Sequence, residues 1–287
     1  MRPVVVLVLM MLGSLAAAAA GQDTIVIGTW NVWNLGASSK VGDRATVIAQ
    51  FDLVALQEVE AIAGLTRLID RVEMDTGVDW ECVVSRQVGQ GEAAEYYAFV
   101  YRTDRVSYRD GSAGSYPEPT PDDFSREPFF ATFRAGAFDF TLITVHITWS
   151  PSARARTAEC SRLMDVWRYV QDSDPDENDL ILLGDFNRTK PTHRAFSELQ
   201  QSGITALLTA DGTRTTFGRL LTGGSWYDHM WYDPTFTSLE WAGQSGAGTP
   251  GSDSSGSGCP ETLRGISDHC PVWAVFSTTH DDDPSGY

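Results

Sequence analysis

Apolar residues along the chain gather into short runs separated by turn-forming residues. The runs at 24–30, 53–56, 97–101, 138–145, 180–183, 229–232 and 271–276 are short, β-branched or aromatic, and most have Gly, Asp, Asn or Ser on at least one side, which predicts strands. A 3.6-residue period replaces this pattern over 43–49 and over 153–170, where Leu163, Val166, Trp167 and Val170 share one face, and predicts helices. Further helices are expected at 64–76 and at 193–200, the latter opened by Pro191-Thr192. Strands separated by helices, with other strands adjacent in sequence, predict a mixed α/β protein rather than a purely doubly wound sheet. The segment 110–123, rich in Gly, Ser and Pro, and the Gly/Ser tract 243–258 are expected to be surface loops.

The ends of the chain follow other rules. After Met-Arg-Pro, an apolar run and five alanines end at Ala20, the pattern of a secretory signal peptide. Its seventeen uncharged residues, 4–20, also reach the lower limit for a membrane span. The small, weakly apolar alanines favour cleavage near Ala20 and a secreted or periplasmic product with no span in the mature chain. Residues 21–280 then form one domain, without repeat or interior linker, and 281–287 an acidic, disordered tail. Export permits disulfides, and Cys82, Cys160, Cys259 and Cys270 allow three pairings. Cys259 and Cys270 bracket a short loop and are a candidate bridge, with buried thiols as the alternative.

Composition adds one constraint. The 287 residues are 42% hydrophobic and 21% charged, which suits a folded protein and excludes wholesale disorder. Twenty-one Lys+Arg against 38 Asp+Glu give −17, a field that repels polyanions unless local cations or a metal invert it. Composition alone therefore argues against nucleic acid. Nineteen of the 21 basic residues are arginine, the better bidentate phosphate clamp.

Polar residues of catalytic type stand where the expected strands end: Asn31, Glu58, His146, Asp185 and Asn187, Asp228, and Asp268-His269. Strand ends of α/β folds hold a side chain rigidly yet leave it accessible. Singly, Glu58 could cap a helix, Asp185 and Asn187 an Asx turn, and either histidine could be structural. Together they are expensive to place unless they converge. Oxygen donors from Asn31, Glu58 and Asp268 suit a hard cation such as Mg²⁺ or Mn²⁺, and His–carboxylate pairs suit proton transfer near neutral pH. Neither a nucleophile elbow nor a Cys–His signature is present, so water is the expected attacker on a phosphate ester.

These motifs resemble the endonuclease/exonuclease/phosphatase superfamily, and more narrowly its deoxyribonuclease I-like group. The resemblance runs from Ile27-Gly28-Thr29-Trp30-Asn31 through Gln57-Glu58-Val59, Gly184-Asp185-Phe186-Asn187 and Tyr227-Asp228 to Ser267-Asp268-His269, with Glu95–Arg102 and Phe124-Ser125-Arg126-Glu127-Pro128 pointing to the narrower group. It implies a four-layer sandwich, two mixed β-sheets packed face to face with helices outside. It also implies a monomeric DNA endonuclease without a stable protein partner, leaving 5′-phosphate and 3′-hydroxyl ends. Glu58 would be the main metal ligand, with Asn31 and Asp268 close to metal and phosphate. His146, paired with Glu95, would be the general acid. His269, oriented by Asp228, would be the base or stabilise the transition state. Asp185 and Asn187 would position water and phosphate, and Arg126 would bind phosphate. A structural Ca²⁺ is a further possibility that the resemblance leaves open.

The chain departs from the group where DNA is read. Glu60 replaces an arginine, Ala93 a tyrosine and His229 an arginine, while Ser225 and Lys190 stand where the group's long-range disulfide would be. Loss of groove-reading side chains implies looser or different capture of duplex DNA. Trp33, Trp149 or Trp226 could stack bases instead, with Trp149 the best placed and core packing the alternative. Arg154 and Arg156 could touch a backbone phosphate or simply start a helix. The competing reading is a phosphodiesterase or phosphatase for lipid head groups or small phosphate esters, and a third is a catalytically inactive binding protein on the same scaffold.

Overall fold

Successive residues of the long strands enter different hydrophobic layers, and this alternation builds the molecule. The computed structural model describes residues 23–119, 123–150, 152–210, 213–218, 224–251, 259–281 and 283, so the expected signal segment 1–20 lies outside the described residues. In chain order the strands are β1 (Thr24–Asn31), β2 (Leu53–Val59), β3 (Trp80–Val84), β4 (Tyr96–Arg102), β5 (Ser107–Tyr108), β6 (Gly114–Ser115), β7 (Phe129–Ala135), β8 (Phe138–His146), β9 (Leu180–Asp185), β10 (Thr205–Ala206), β11 (Asp228–Tyr232), β12 (Trp241–Ala247) and β13 (Val272–Ser277). The helices are α1 (Gly42–Ile48), α2 (Ile62–Thr76), α3 (Ala153–Cys160), α4 (Leu163–Ser173) and α5 (Ser197–Gln201). One sheet runs β12-β13-β1-β2-β4-β3 and the other β10-β11-β9-β8-β7-β5, with β6 paired to β7. Both are mixed: β1–β2 and β8–β9 are parallel, and the remaining pairs are antiparallel.

Three apolar clusters fill the three interfaces of the expected four layers. Ile25 and Ile27, Leu53 and Ala55, Tyr97 and Phe99 meet Phe138, Phe140, Leu142, Ile181 and Leu183 between the sheets. The intervening residues of the first sheet, among them Val26, Val54, Leu56 and Val100, pack on Val47, Ile48, Leu65, Leu68 and Val72 from α1, α2 and their flanks. On the second sheet Ile143, Val145, Leu180, Leu182 and Trp231 pack under Leu163, Val166, Trp167 and Val170 of α4. Gly28 belongs to the first helix-facing layer because a Cβ there would lie 2.5 Å from the Phe51 ring.

The departures from the sequence reading have local causes. The helix expected over 153–170 is two, broken at Ser161-Arg162, because only α4 carries an apolar stripe; α3 buries just Glu159 and Cys160. β7 joins the second sheet through Phe129, Ala131, Phe133 and Ala135, a period-2 run not anticipated as a strand. The Gly/Ser tract is not all loop: its start lies in β12, an edge strand that pairs with β13 across a bulge, while 252–258 lie outside the described residues. Within 110–123, Gly114 and Ser115 pair with β7 and Tyr116 is buried. The Asp283 carboxylate accepts hydrogen bonds from the Asn178 backbone N–H and side-chain Nδ2 at 2.9 Å, so this residue of the expected free tail is docked. Of the three cysteine pairings, the Cys259–Cys270 bridge forms, leaving Cys82 and Cys160 as thiols.

Candidate active site

Strand register alone sets three acid–base side chains in a row. His146 ends β8 opposite Asp185 at the end of parallel β9, and Asp185 faces Asp228 at the start of antiparallel β11. The close passage of β8 and β9 requires Gly184, which has φ +139°; a Cβ there would lie 2.1 Å from the Val145 carbonyl oxygen. From the other sheet, β1 and β2 run parallel and pair Asn31 with Gln57. Buried Gln57 joins the sheets beneath the site by donating Nε2 to Thr29 Oγ1 and Thr144 Oγ1, each at 3.0 Å. Glu58 follows on a bulge: the β2–β4 register shifts between Leu56 and Val59, and Glu58 adopts φ +60°. A bulge re-aims the side chain that a regular strand would send to the helix face.

The resulting geometry is two His–carboxylate pairs converging on one oxygen. His146 Nδ1 lies 2.9 Å from Glu95 Oε2, and His269 Nδ1 lies 2.8 Å from Asp228 Oδ2. Both Nε2 atoms stand 3.6 Å from Asp185 Oδ2, beyond a direct hydrogen bond. Asn31 Nδ2 donates to that same oxygen at 3.2 Å and to Glu58 Oε1 at 2.8 Å, while its Oδ1 accepts from the Trp33 N–H. Asn31 thus faces the two carboxylates with its donor and acts as their spacer. Asp185 Oδ1 accepts from the Asn187 N–H, and Asn187 Nδ2 donates to the Ile147 carbonyl.

Burial of both histidines pulls their pKa values down, but the adjoining carboxylates more than offset it, so both lie above the ordinary imidazole value. Glu95 is the main counter-charge for His146; Asp228 and then Asp185 are those for His269. Each imidazole is thereby disposed to hold its proton near neutrality. Arg126 Nε contacts Glu95 Oε2 at 2.9 Å and the Ala93 carbonyl at 3.0 Å, so Glu95 serves a histidine and a guanidinium together.

These groups open into a cleft of about 350 Å³ lined by Glu58, Arg126, His146, Asp185, Asn187, Asp268 and His269, with Trp33, Trp149, Phe217 and Tyr227 at its walls. Glu95, Asn31 and Asp228 stand behind them, buried. All eleven residues expected from the sequence therefore lie in or directly behind one cleft. Trp149 is 65% exposed, with Arg156 over its ring at 5.5 Å and Tyr227 at 6.2 Å between centroids. Trp33 is also exposed, whereas Trp226 belongs to the core. His229 is sealed under Phe186 and Phe196 with Nε2 on the Arg188 carbonyl, and burial lowers its pKa to about 4, so it supplies no cation in place of the group's arginine.

The donor set suits a hard cation beside Glu58. Both Glu58 oxygens are held by neutral donors, Asn31 Nδ2 and the Asn34 N–H, which orient the carboxylate without neutralising it. Asp185, Asp228 and His269 also offer atoms within 4.8 Å of one another. There, however, Asp228 is already engaged by His269 Nδ1, at 2.8 Å to Oδ2.

Several supporting residues escaped the sequence reading. Tyr97 Oη accepts the His146 N–H at 2.9 Å, and Thr215 Oγ1 accepts the Asp228 N–H at 3.0 Å. Ser267 Oγ donates to the Asn31 carbonyl and accepts the His269 N–H. Buried Glu159 accepts the N–H groups of Ser125 and Thr148, tying the Arg126 loop to the Trp149 loop. The one available sequence signal was an acid next to Cys160 on an otherwise solvated helix.

Residues 28–269 match the Endonuclease/Exonuclease/phosphatase family. A Deoxyribonuclease of Thioalkalivibrio sp. (strain K90mix) is 32% identical over 275 residues, covering 92% of this chain and 74% of that protein. Deoxyribonuclease-1-like 2 of Homo sapiens is 30% identical over 239 residues, covering 71% of this chain and 77% of that protein. Among solved structures, a humanized D. rerio TDP2 superposes with a TM-score of 0.60 at 18% identity, over 88% of this chain and 98% of that one, a likeness of fold.

Proposed function

The chain belongs to the endonuclease/exonuclease/phosphatase family and is a phosphodiester hydrolase, and from that premise we propose that it is a secreted endonuclease of DNA, dependent on Mg²⁺ or Mn²⁺. The observation that carries this reading is the convergence of His146–Glu95 and His269–Asp228 on Asp185 Oδ2 at the floor of an open cleft.

Each residue then has a role. Glu58 and Asp268 hold the divalent ion, with Asn31 fixing the Glu58 carboxylate relative to Asp185. When bound, the ion polarises a phosphoryl oxygen and offsets its charge. Arg126 binds a second phosphate oxygen. Asp185, positioned by the Asn31 amide and the Asn187 N–H, orients the attacking water and accepts its proton. The raised pKa of His269 suits an imidazolium that stabilises charge on the phosphoryl group better than it suits a base. His146, held through Nδ1 by Glu95, presents its Nε2 proton to the leaving 3′ oxygen. This leaves 3′-hydroxyl and 5′-phosphate ends.

Exposed Trp149 and Trp33 offer stacking faces where groove-reading side chains are missing, favouring unpaired or distorted strands. Secretion is supported by the apolar and alanine runs ending at Ala20 and by the Cys259–Cys270 bridge, which suits an oxidising compartment. The test is nicking of supercoiled plasmid by the mature chain with Mg²⁺, with EDTA, and with the variants His146→Ala, His269→Ala and Glu58→Gln. Nicking should be abolished by EDTA and reduced at least about a hundredfold by each histidine change. Nicking that survives both histidine substitutions would overturn the mechanism. Absence of nicking with release of inorganic phosphate or phosphocholine from small esters would establish the competing substrate class.

A further inference from the structure

A second group of acids lies at the opposite end of β9 from Asp185, about 20 Å away along a six-residue strand. Asp179 immediately precedes β9 and is fully buried; Glu177, two residues earlier, is 1% exposed. Glu177 Oε1 accepts the Asp179 N–H at 2.8 Å, but Glu177 Oε2 is buried without a hydrogen-bond partner. Neither Asp179 oxygen is in hydrogen-bonding geometry, even with the Thr237 hydroxyl beside it. Asp283, following β13, is anchored by Asn178 so that its carboxylate joins them. Glu177, Asp179 and Asp283 offer oxygens that all lie within 4.8 Å of one another. Buried Asp139 and Glu240 and nearby Asp281 surround this trio, and the Arg134 guanidinium acts on Asp139.

Buried carboxylates with unmet lone pairs cost several kcal/mol unless protonated or paired with a cation. We infer that Glu177, Asp179 and Asp283 form a structural site for a calcium-type divalent cation, remote from the catalytic cleft, which clamps the entry of β9 to the segment after β13.

Ligand chemistry favours calcium over magnesium. Calcium accepts a flexible set of protein carboxylate oxygens, whereas magnesium demands near-ideal octahedral geometry and keeps several waters, for which the buried Glu177 and Asp179 leave little room.

Calcium chloride added to chelator-treated, full-length protein tests the site by calorimetric titration and thermal unfolding. The Glu58→Gln chain, altered in the cleft, should still bind one Ca²⁺ and gain about 5 °C or more in Tm at a hundredfold excess over Kd. Glu177→Gln with Asp179→Asn should lose both responses while melting, metal-free, at or above the metal-free parent, because two buried ionisable groups are gone. Asp283→Asn, at a partly exposed position, should weaken Ca²⁺ at least about tenfold without unfolding the chain. The inference is overturned if the Glu58→Gln chain shows no binding at about 10 mM Ca²⁺, or if the three acid substitutions leave affinity and Tm shift unchanged. Failure of the plasmid assay would leave this outcome untouched, since no readout here is catalytic.

Discussion

Replacing Glu95 by glutamine isolates the electrostatic part of the proposed acid catalysis, because the side chain keeps its shape and loses only its charge. Glu95 is 3% exposed and serves three donors: His146 Nδ1, Arg126 Nε and, at 3.3 Å, the Glu58 N–H. At 2.9 Å, with an effective dielectric of about 20, each cation–carboxylate pair is worth about 6 kcal/mol before desolvation is subtracted. Breaking such a buried pair costs about 3–5 kcal/mol net. The glutamine oxygen, placed where Oε2 was, can still accept from both His146 Nδ1 and Arg126 Nε, but its NH₂ then stands where Oε1 was, against the Glu58 N–H and the protonated His146 Nδ1. His146 relieves the clash by giving up its proton, since burial already pulls its pKa down and Glu95 alone is the main opposing charge. We therefore expect kcat to fall about 10²–10⁴-fold and the alkaline limb of the pH–rate profile to move to lower pH. Stability carries a matching signature. The folded pKa of His146 is raised, so the contribution of its Glu95 pair is fully present below the unfolded value near 6.5 and is lost as pH rises through the folded value. The Tm gap between parent and variant should accordingly narrow as pH rises above about 6.5. Plasmid nicking across that range, with melting curves on the same samples, is the assay. A variant that retains kcat within about threefold, with an unmoved alkaline limb, would refute the assignment of His146 as an acid charged by Glu95.

Two further substitutions probe how the site is held and what it holds. Gly184→Ala puts a methyl 2.1 Å from the Val145 carbonyl at φ +139°, between His146 and Asp185; a loss of about 3 kcal/mol or more, roughly 6–12 °C in Tm, is expected together with reduced kcat, and an unchanged melting curve would contradict the close-passage argument. Trp149→Ala removes an exposed ring worth about 1–3 kcal/mol of base stacking, so KM for single-stranded DNA should rise about 5-fold or more with kcat largely kept; equal KM values would remove Trp149 from substrate capture.

How much of this was legible beforehand differs by residue. The alternation of Ile25, Val26 and Ile27, repeated in 53–56, 97–101 and 180–183, specified strands buried on both faces, because each strand separates two apolar layers. β3 and β12 escaped notice because edge strands need little burial: Glu81 and Gly243–Gln244 face solvent, and only pairing with β4 and β13 makes them strands. The missed β7 carried the signal, Phe-x-Ala-x-Phe-x-Ala, in plain view.

The types of chemical group, and their placement at strand ends, were decided by the sequence alone: His146, Asp185 and Glu58 close apolar runs, and Asp228 and His269 stand just before them, whatever the fold. Their partnerships were decided by tertiary structure. Glu95 meets His146 across 51 residues, Asp228 meets His269 across 41, and Asn31 reaches Asp185 across 154. No local pattern encodes these contacts; they follow from the parallel register of β8 and β9, the bulge at Glu58 and the face-to-face packing of two sheets. The same packing changes the meaning of the −17 charge. Asp283, expected in a free acidic tail, meets Glu177 and Asp179 where β9 begins and the chain leaves β13. There burial turns surface charge into a ligand set, because a carboxylate removed from water must find a proton or a cation.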